Sequence, residues 1–138
     1  MNGSSWRGKI LFHTNFSFKN GEFGKKLIIV LNEPRTTNEP YLVFRVTSNS
    51  EGKPNSFGCH ARYSLFFLPA GLDFFHHDTW IQLHEVFSFE ASDFLDDHFQ
   101  GKLKVLGQLK ESTIKQLLDC IKKITDIDED YKTLILKK

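Results

Sequence analysis

The chain has 138 residues, of which 40% are hydrophobic, so it is long enough for one compact core and too short for two. We therefore predict a single domain over residues 1–138. The net charge is +1, but residues 1–72 carry nine Lys and Arg against four Asp and Glu. A basic first half can attract a polyanion, and a solvated surface of mixed charge gives the same count.

The composition excludes a helical membrane span, because no apolar run approaches the roughly 20 residues that such a helix needs. Residues 1–8 lack the apolar core of a signal peptide, so we expect a soluble cytoplasmic protein with no membrane partner. Cys59 and Cys120 have neither a CxxC partner nor a companion histidine at zinc-site spacing. We expect both to be reduced, partly buried thiols.

Short strands are predicted along most of the chain. Runs of apolar, aromatic and β-branched residues predict strands at 8–13, 27–31, 41–47, 63–68, 79–83, 86–89 and 104–106. The unbroken apolar run at 27–31 predicts a strand that is buried on both faces. Polar stretches with Gly, Pro, Asn and Ser predict loops at 14–24, 32–40 and 48–55. Strands of this length and spacing are typical of a small β-barrel.

Helices are predicted only late in the chain. Residues 92–99 indicate a short helical turn, and the apolar period changes to that of an amphipathic helix from Glu111 to Ile124. Residues 126–138 contain one short apolar patch, and we expect them to pack weakly or fray. The predicted fold is therefore mainly β with added helices (α+β), with a C-terminal amphipathic helix.

The order of several short motifs resembles the PemK/MazF family of type II toxins. Gly24-Lys25-Lys26 leads into one strand, and the next strand ends in Val46-Thr47-Ser48. The segments 76–83 and 86–89 resemble the late strands of the family, and Gly107-Gln108-Leu109 resembles the start of its terminal helix. The resemblance covers about residues 8–124.

This resemblance implies a small SH3-like β-barrel of the CcdB/PemK type with added helices. It also implies a homodimer and a metal-independent endoribonuclease that needs no cofactor and cuts single-stranded messenger RNA. A cognate antitoxin protein would silence the enzyme. The same resemblance leaves room for a non-catalytic relative that binds RNA or a protein partner, including a toxin of the gyrase-poison type.

The resemblance also nominates site residues. Lys26-Leu27 stands where the family has an Arg-Pro pair, so Lys26 is the expected catalytic cation, although lysine lacks the planar fork of arginine. Thr47 matches the family's threonine at a strand end, where its hydroxyl can donate to a phosphate oxygen. Lys25 and Ser48 are expected to bind RNA beside them. The alternative is that the lysines are solvated and that Thr47 and Ser48 only start a turn.

Cleavage through the 2′-hydroxyl of RNA also needs an acid and a base. His13 and Glu22 are expected to contact RNA, and the pair His76-His77 supplies further candidates, but no motif fixes any of them. Neighbouring histidines in a strand point to opposite faces, so no metal site is expected at that pair. The aromatic residues of the 14–24 loop could stack bases or anchor the loop: Phe16, Phe18 and Phe23.

Overall fold

An eight-stranded antiparallel sheet and three α-helices form the described part of the chain, residues 5–17 and 23–137 of a computed structural model. For residues 15–17 and 23–25 only the backbone is described. The elements are β1 (Lys9–Ser17), β2 (Phe23–Val30), β3 (Tyr41–Thr47), β4 (Gly58–His60), β5 (Leu65–Leu68), β6 (Thr79–Gln82), β7 (Phe87–Phe89), α1 (Ala91–Phe99), β8 (Leu103–Gln108), α2 (Glu111–Lys123) and α3 (Glu129–Leu136).

The mixed α+β class predicted from the sequence is confirmed. The strands are ordered β4-β5-β6-β3-β2-β1-β8, and β7 pairs with β3 beside this path. Within the described ranges the edge strands β4 and β8 do not pair with each other, so the sheet is not a closed barrel. All pairings described between strands are antiparallel.

Both faces of the central strands are buried, as the apolar run at 27–31 predicts. Ile29 belongs to the larger core, which the sheet forms with α2 and α3, whereas Ile28 and Val30 belong to the core under α1. All three side chains are fully buried. The alternation of side chains along a strand explains why consecutive residues serve different cores.

One predicted loop is more regular than the sequence indicates, and one short strand was not predicted. β1 and β2 reach into the polar 14–24 segment and pair as far as Ser17 and Phe23. A further short strand, β4, forms after the loop at 48–55 because it pairs with β5. These elements depend on cross-strand pairing, which leaves little trace in local composition.

The expectation that residues 126–138 pack weakly is wrong. Residues 129–136 form α3, whose start is capped by Asp128, because its carboxylate accepts a hydrogen bond from the backbone N–H of Asp130 at 2.9 Å. Ile135 is fully buried in the larger core. Arg7 holds the other end of α3: its Nη2 donates to the carbonyls of Ile135 at 2.7 Å and Lys137 at 2.9 Å.

The Arg7→Met variant is expected to be less stable than the wild type by about 2–3 kcal/mol. Arg7 also donates from Nε to the carbonyl of Leu31 at 3.1 Å, so the substitution leaves three carbonyls without this cationic donor. Urea unfolding followed by circular dichroism measures the loss. Arg62→Met, at an exposed arginine, is the matched control. Equal unfolding midpoints for the two variants would show that apolar packing alone holds α3.

The expectation of two reduced cysteines is also wrong. Cys59 in β4 and Cys120 in α2 are joined by a disulfide across 61 residues of sequence. Cys120 is buried in the larger core, and Cys59 packs against that core. Spacing rules for metal and redox motifs apply to cysteines close in sequence, whereas these two meet only because α2 packs on β4.

Candidate functional site

The end of the ladder between β2 and β3 opens the principal candidate pocket. β3 pairs with β2 from Val43 to Arg45, whereas its last two residues, Val46 and Thr47, pair only with β6, on the other edge of β3. The register of β2 and β3, continued by two residues, would set Leu27 beside Val46 and Lys26 beside Thr47. These four positions therefore border a gap where the ladder between the two strands has ended.

The gap is a pocket of about 390 Å³, which we call the β2–β3 pocket. Its wall combines apolar residues from the sheet with polar residues from strand ends and one loop. The lining residues are Phe12, Lys26, Leu27, Val46, Thr47, Ser48, Phe75, His76, His77 and Thr79. Three of the residues that the sequence nominates, Lys26, Thr47 and Ser48, are thus brought together.

Thr47 starts a turn and keeps a hydrogen-bond donor for the pocket. Its Oγ1 accepts the backbone N–H of Asn49 at 3.1 Å, which is the turn role that the sequence left as the alternative. A hydroxyl that accepts one bond still has its proton to donate. Ser48 is exposed at the same strand end. The two residues can therefore each offer a hydroxyl donor to a group bound in the pocket.

Lys26 lines the β2–β3 pocket. It lies opposite His13 in the register of β1 and β2, so its Cβ shares a sheet face with His13, and Phe12 and Leu27 belong to the other face. Burial of the ammonium and, secondly, the like charge of Arg45 lower the pKa of Lys26 below its ordinary value. A partly desolvated cation interacts more strongly with a phosphate than a fully hydrated one.

Arg45 lies opposite Ile28, on the same sheet face as Lys26, and already has partners of its own. Its Nη2 lies 2.8 Å from Oε1 of Glu85, and its guanidinium stands over the ring of Phe87, 5.2 Å from the centroid. Among the side chains that the structure describes, Lys26 is the lysine or arginine that lines the β2–β3 pocket, and the charge of Arg45 acts on it through space.

The two histidines reach the pocket because they precede β6 and do not belong to it. We call residues 69–78, between β5 and β6, the histidine loop. Both His76 and His77 are exposed and line the β2–β3 pocket, so the expectation that they point to opposite faces of a strand is wrong. The hydroxyl of Thr79 donates to the carbonyl of His77 at 2.8 Å and fixes the backbone there.

A second depression, the side pocket, adjoins the first and has a volume of about 380 Å³. The two share Ser48 and His77, and the side pocket adds Ser50, Asp78 and Trp80. Trp80 is 1% exposed, and its Nε1 donates to the carbonyl of Pro54 at 2.7 Å, which holds the loop that follows Ser48. Because the two pockets share Ser48 and His77, they form one continuous groove.

His13 is not part of this groove. It is buried, its Nε2 lies 3.1 Å from Oδ2 of Asp97 in α1, and its ring is stacked on Phe89. These contacts place the imidazole between the sheet and α1, where it joins two structural elements. The expected contact of His13 with RNA is therefore not supported by its position.

Several other nominated residues cannot be placed. Glu22 and Phe18 lie outside the described residues, and the side chains of Lys25, Phe16 and Phe23 are outside the described part as well. Their expected roles remain predictions.

Sequence reasoning missed the apolar part of the site. Phe12 and Phe75 line the β2–β3 pocket beside Leu27, and nothing in their local sequence separates them from core residues. Strand pairing could have indicated Phe12, because this residue lies directly opposite Leu27, the neighbour of the nominated Lys26.

Within residues 5–17 and 23–137, no group of three or more His, Cys, Asp and Glu side chains could hold a metal ion. No helix in the same ranges is long and apolar enough to cross a membrane. The chain matches no protein-family model, and no curated protein or solved structure shows significant similarity to it. The functional argument therefore depends on the pocket itself.

Lys26 gives the site an expected pH dependence. Because its pKa is lowered, its ammonium should lose its proton, and with it any attraction for phosphate, at a lower pH than an exposed lysine does. Binding of a 2′-deoxy-substituted oligonucleotide should therefore weaken as the pH rises through that pKa. In Lys26→Arg the charge persists, so this weakening should disappear from titrations followed by fluorescence anisotropy. An identical alkaline loss in both proteins would exclude Lys26 as the cation.

Proposed function

We propose that the protein is a metal-independent endoribonuclease of the PemK/MazF type that cuts single-stranded RNA in the β2–β3 pocket. One observation carries the proposal: a cation, two hydroxyls and two imidazoles from three separate segments line one pocket. They are Lys26, Thr47, Ser48, His76 and His77. These are the group types that transfer of a phosphoryl group to the RNA 2′-hydroxyl requires.

The two histidines supply the proton transfers. One neutral imidazole takes the proton of the 2′-hydroxyl as its oxygen attacks the phosphorus, and one imidazolium gives a proton to the leaving 5′-oxygen. The bond from phosphorus to that 5′-oxygen breaks. The products are a 2′,3′-cyclic phosphate and a 5′-hydroxyl end, so atoms and charge balance without water or metal.

The remaining polar residues stabilise the charge that builds up on the phosphorane. Lys26 supplies a partly desolvated positive charge, and Thr47 donates its hydroxyl proton to a non-bridging oxygen. Ser48 lies where the β2–β3 pocket meets the side pocket, so it can bind the next nucleotide. Unpaired bases can enter such a groove, which favours single-stranded RNA over a duplex.

The proposal carries further expectations about the whole protein. The open sheet would be a variant of the SH3-like barrel, the protein would act as a homodimer, and a cognate antitoxin would inhibit it. Because messenger RNA is its substrate, we place it in the cytoplasm. The Cys59–Cys120 bond would then form and break reversibly, since disulfides are mostly transient there.

The direct test uses purified protein and single-stranded RNA in the presence of EDTA, with the products analysed for cyclic phosphate ends. The same protein induced in a bacterial host should stop growth and leave discrete cuts in messenger RNA. Lys26→Ala and Thr47→Val should each cut at least about tenfold more slowly. Intact RNA in both experiments would refute the proposed nuclease. A Lys26→Ala variant that cuts at the wild-type rate would show that Lys26 is not needed for cleavage.

A second candidate function is RNA binding without cleavage. Lysine in place of an arginine favours it, because Lys26 can hold a phosphate only as a point charge. Tight binding of RNA that stays intact on prolonged incubation is the outcome expected of this alternative.

A further inference from the structure

The histidine loop is anchored at a distant part of the chain, at the junction between β8 and α2. We propose that Phe74 and Asp73 are positioning residues, which dock on Gly107 and Lys110 and thereby hold His76 and His77 in the β2–β3 pocket. This inference rests on the proposed function for its catalytic consequence. Its structural part can be measured without catalysis.

The first anchor is a close approach of a ring to a glycine. A Cβ added at Gly107 would lie 2.5 Å from Cε1 and 2.6 Å from Cδ1 of Phe74. The backbone of Gly107 is not in the left-handed region, so its conformation alone does not require glycine. What requires it is the space that the ring of Phe74 occupies against β8.

The second anchor is polar and lies at the start of α2. Oδ2 of Asp73 accepts the backbone N–H of Lys110 at 3.1 Å, and Nζ of Lys110 donates to the carbonyl of Leu72 at 2.7 Å. Lys110 is the N-cap residue of α2 and has no side-chain acceptor of its own. Asp73 thus brings a carboxylate from the histidine loop to a helix N-terminus, where negative charge is favourable.

The anchors lie directly before the histidines in sequence. Phe75 follows them and is buried in the larger core, and its carbonyl accepts the backbone N–H of Gly71 at 2.9 Å. On the other side Asp78 accepts the backbone N–H of Ala70 at 2.8 Å. His76 and His77 are therefore the exposed residues between two fixed points, and a shift of the anchor moves both imidazoles. Displacements of about 1 Å can cost about 100-fold in rate.

The critical variant is Gly107→Ala, whose methyl group must displace the ring of Phe74. We expect kcat to fall by about tenfold to 100-fold with little change in KM for RNA, because the strand-end hydroxyls and Lys26 stay in place. Phe74→Leu in the same protein makes room for the methyl group and should restore most of kcat. Val105→Ala, at an exposed residue of β8, is the matched control and should cut at the wild-type rate.

A second readout is independent of catalysis. The imidazole NMR signals of His76 and His77 should shift in Gly107→Ala, return in the double variant and stay in place in Val105→Ala. Unshifted signals in Gly107→Ala, or a loss that Phe74→Leu does not repair, would overturn the inference. A wild-type protein that leaves RNA intact refutes the proposed nuclease, whereas a nuclease with unchanged kcat in Gly107→Ala refutes the positioning role alone.

Discussion

Replacement of both His76 and His77 by glutamine is expected to lower kcat for RNA cleavage by about 10²–10⁴-fold. The two imidazoles are the side chains of the β2–β3 pocket to which the proposed mechanism assigns the general base and the general acid. Glutamine keeps hydrogen-bonding capacity, so binding of RNA should weaken far less than cutting. Single-turnover cleavage rates and anisotropy titrations of the same oligonucleotide separate the two effects.

The pH dependence sharpens this prediction. A mechanism with one neutral and one protonated histidine gives a bell-shaped rate profile, because the base is lost at low pH and the acid at high pH. His76→Gln and His77→Gln should each remove one limb of the bell. His84→Gln, at an exposed histidine outside the pocket, should keep the whole profile. A double variant that cuts within about threefold of the wild type would exclude acid-base catalysis by the pair.

The sequence predicts the parts of the fold that have a strong local pattern. The apolar run of β2 indicates a strand buried on both faces, and it is one. The spacing from Ile114 to Ile124 indicates α2, whose inner face is indeed buried. Thr47 and Ser48 could be nominated only through the family resemblance at the end of a predicted strand, because hydroxyl residues in that position most often just start a turn.

The site as a whole could not be predicted, because it depends on a long-range event. The β2–β3 pocket exists where the ladder between β2 and β3 ends while β3 stays paired with β6 on its other edge, and no local pattern records where that ladder ends. The same limit hides the position of His76 and His77 in the pocket. Their placement depends on where β6 begins and on the docking of Phe74 against Gly107, 33 positions later in the chain.

Burial also separates residues that look equivalent in the sequence. His13 and His77 are both histidines close to nominated strands, yet His13 is 4% exposed and paired with Asp97, whereas His77 is exposed at the pocket. The partner of His13 comes from α1, 84 residues away. Which histidine can meet a substrate is therefore decided by tertiary packing.

The disulfide leads to the largest expected effect on stability. Replacing Cys59 and Cys120 together with serine should lower the free energy of unfolding by about 4 kcal/mol, because the bond closes a loop of 61 residues and restricts the unfolded chain. Urea unfolding under oxidising conditions, compared with the wild type, measures the difference. Wild-type protein treated with a dithiol reductant should lose a similar amount.

Stability and catalysis should separate in this variant, because neither cysteine lines the β2–β3 pocket. At low temperature, where the variant is folded, its kcat should stay within about threefold of the wild-type value. The reason is that the bond joins β4 to α2, whereas Lys26 and Thr47 belong to β2 and β3. The serine variant treated with the same reductant is the control. Because this variant has no disulfide, the reductant should not change its free energy of unfolding. Equal unfolding midpoints for oxidised wild type and the serine variant would show that the disulfide does not stabilise the packing of α2 on β4. A loss of kcat in the folded serine variant would show that the disulfide contributes to catalysis.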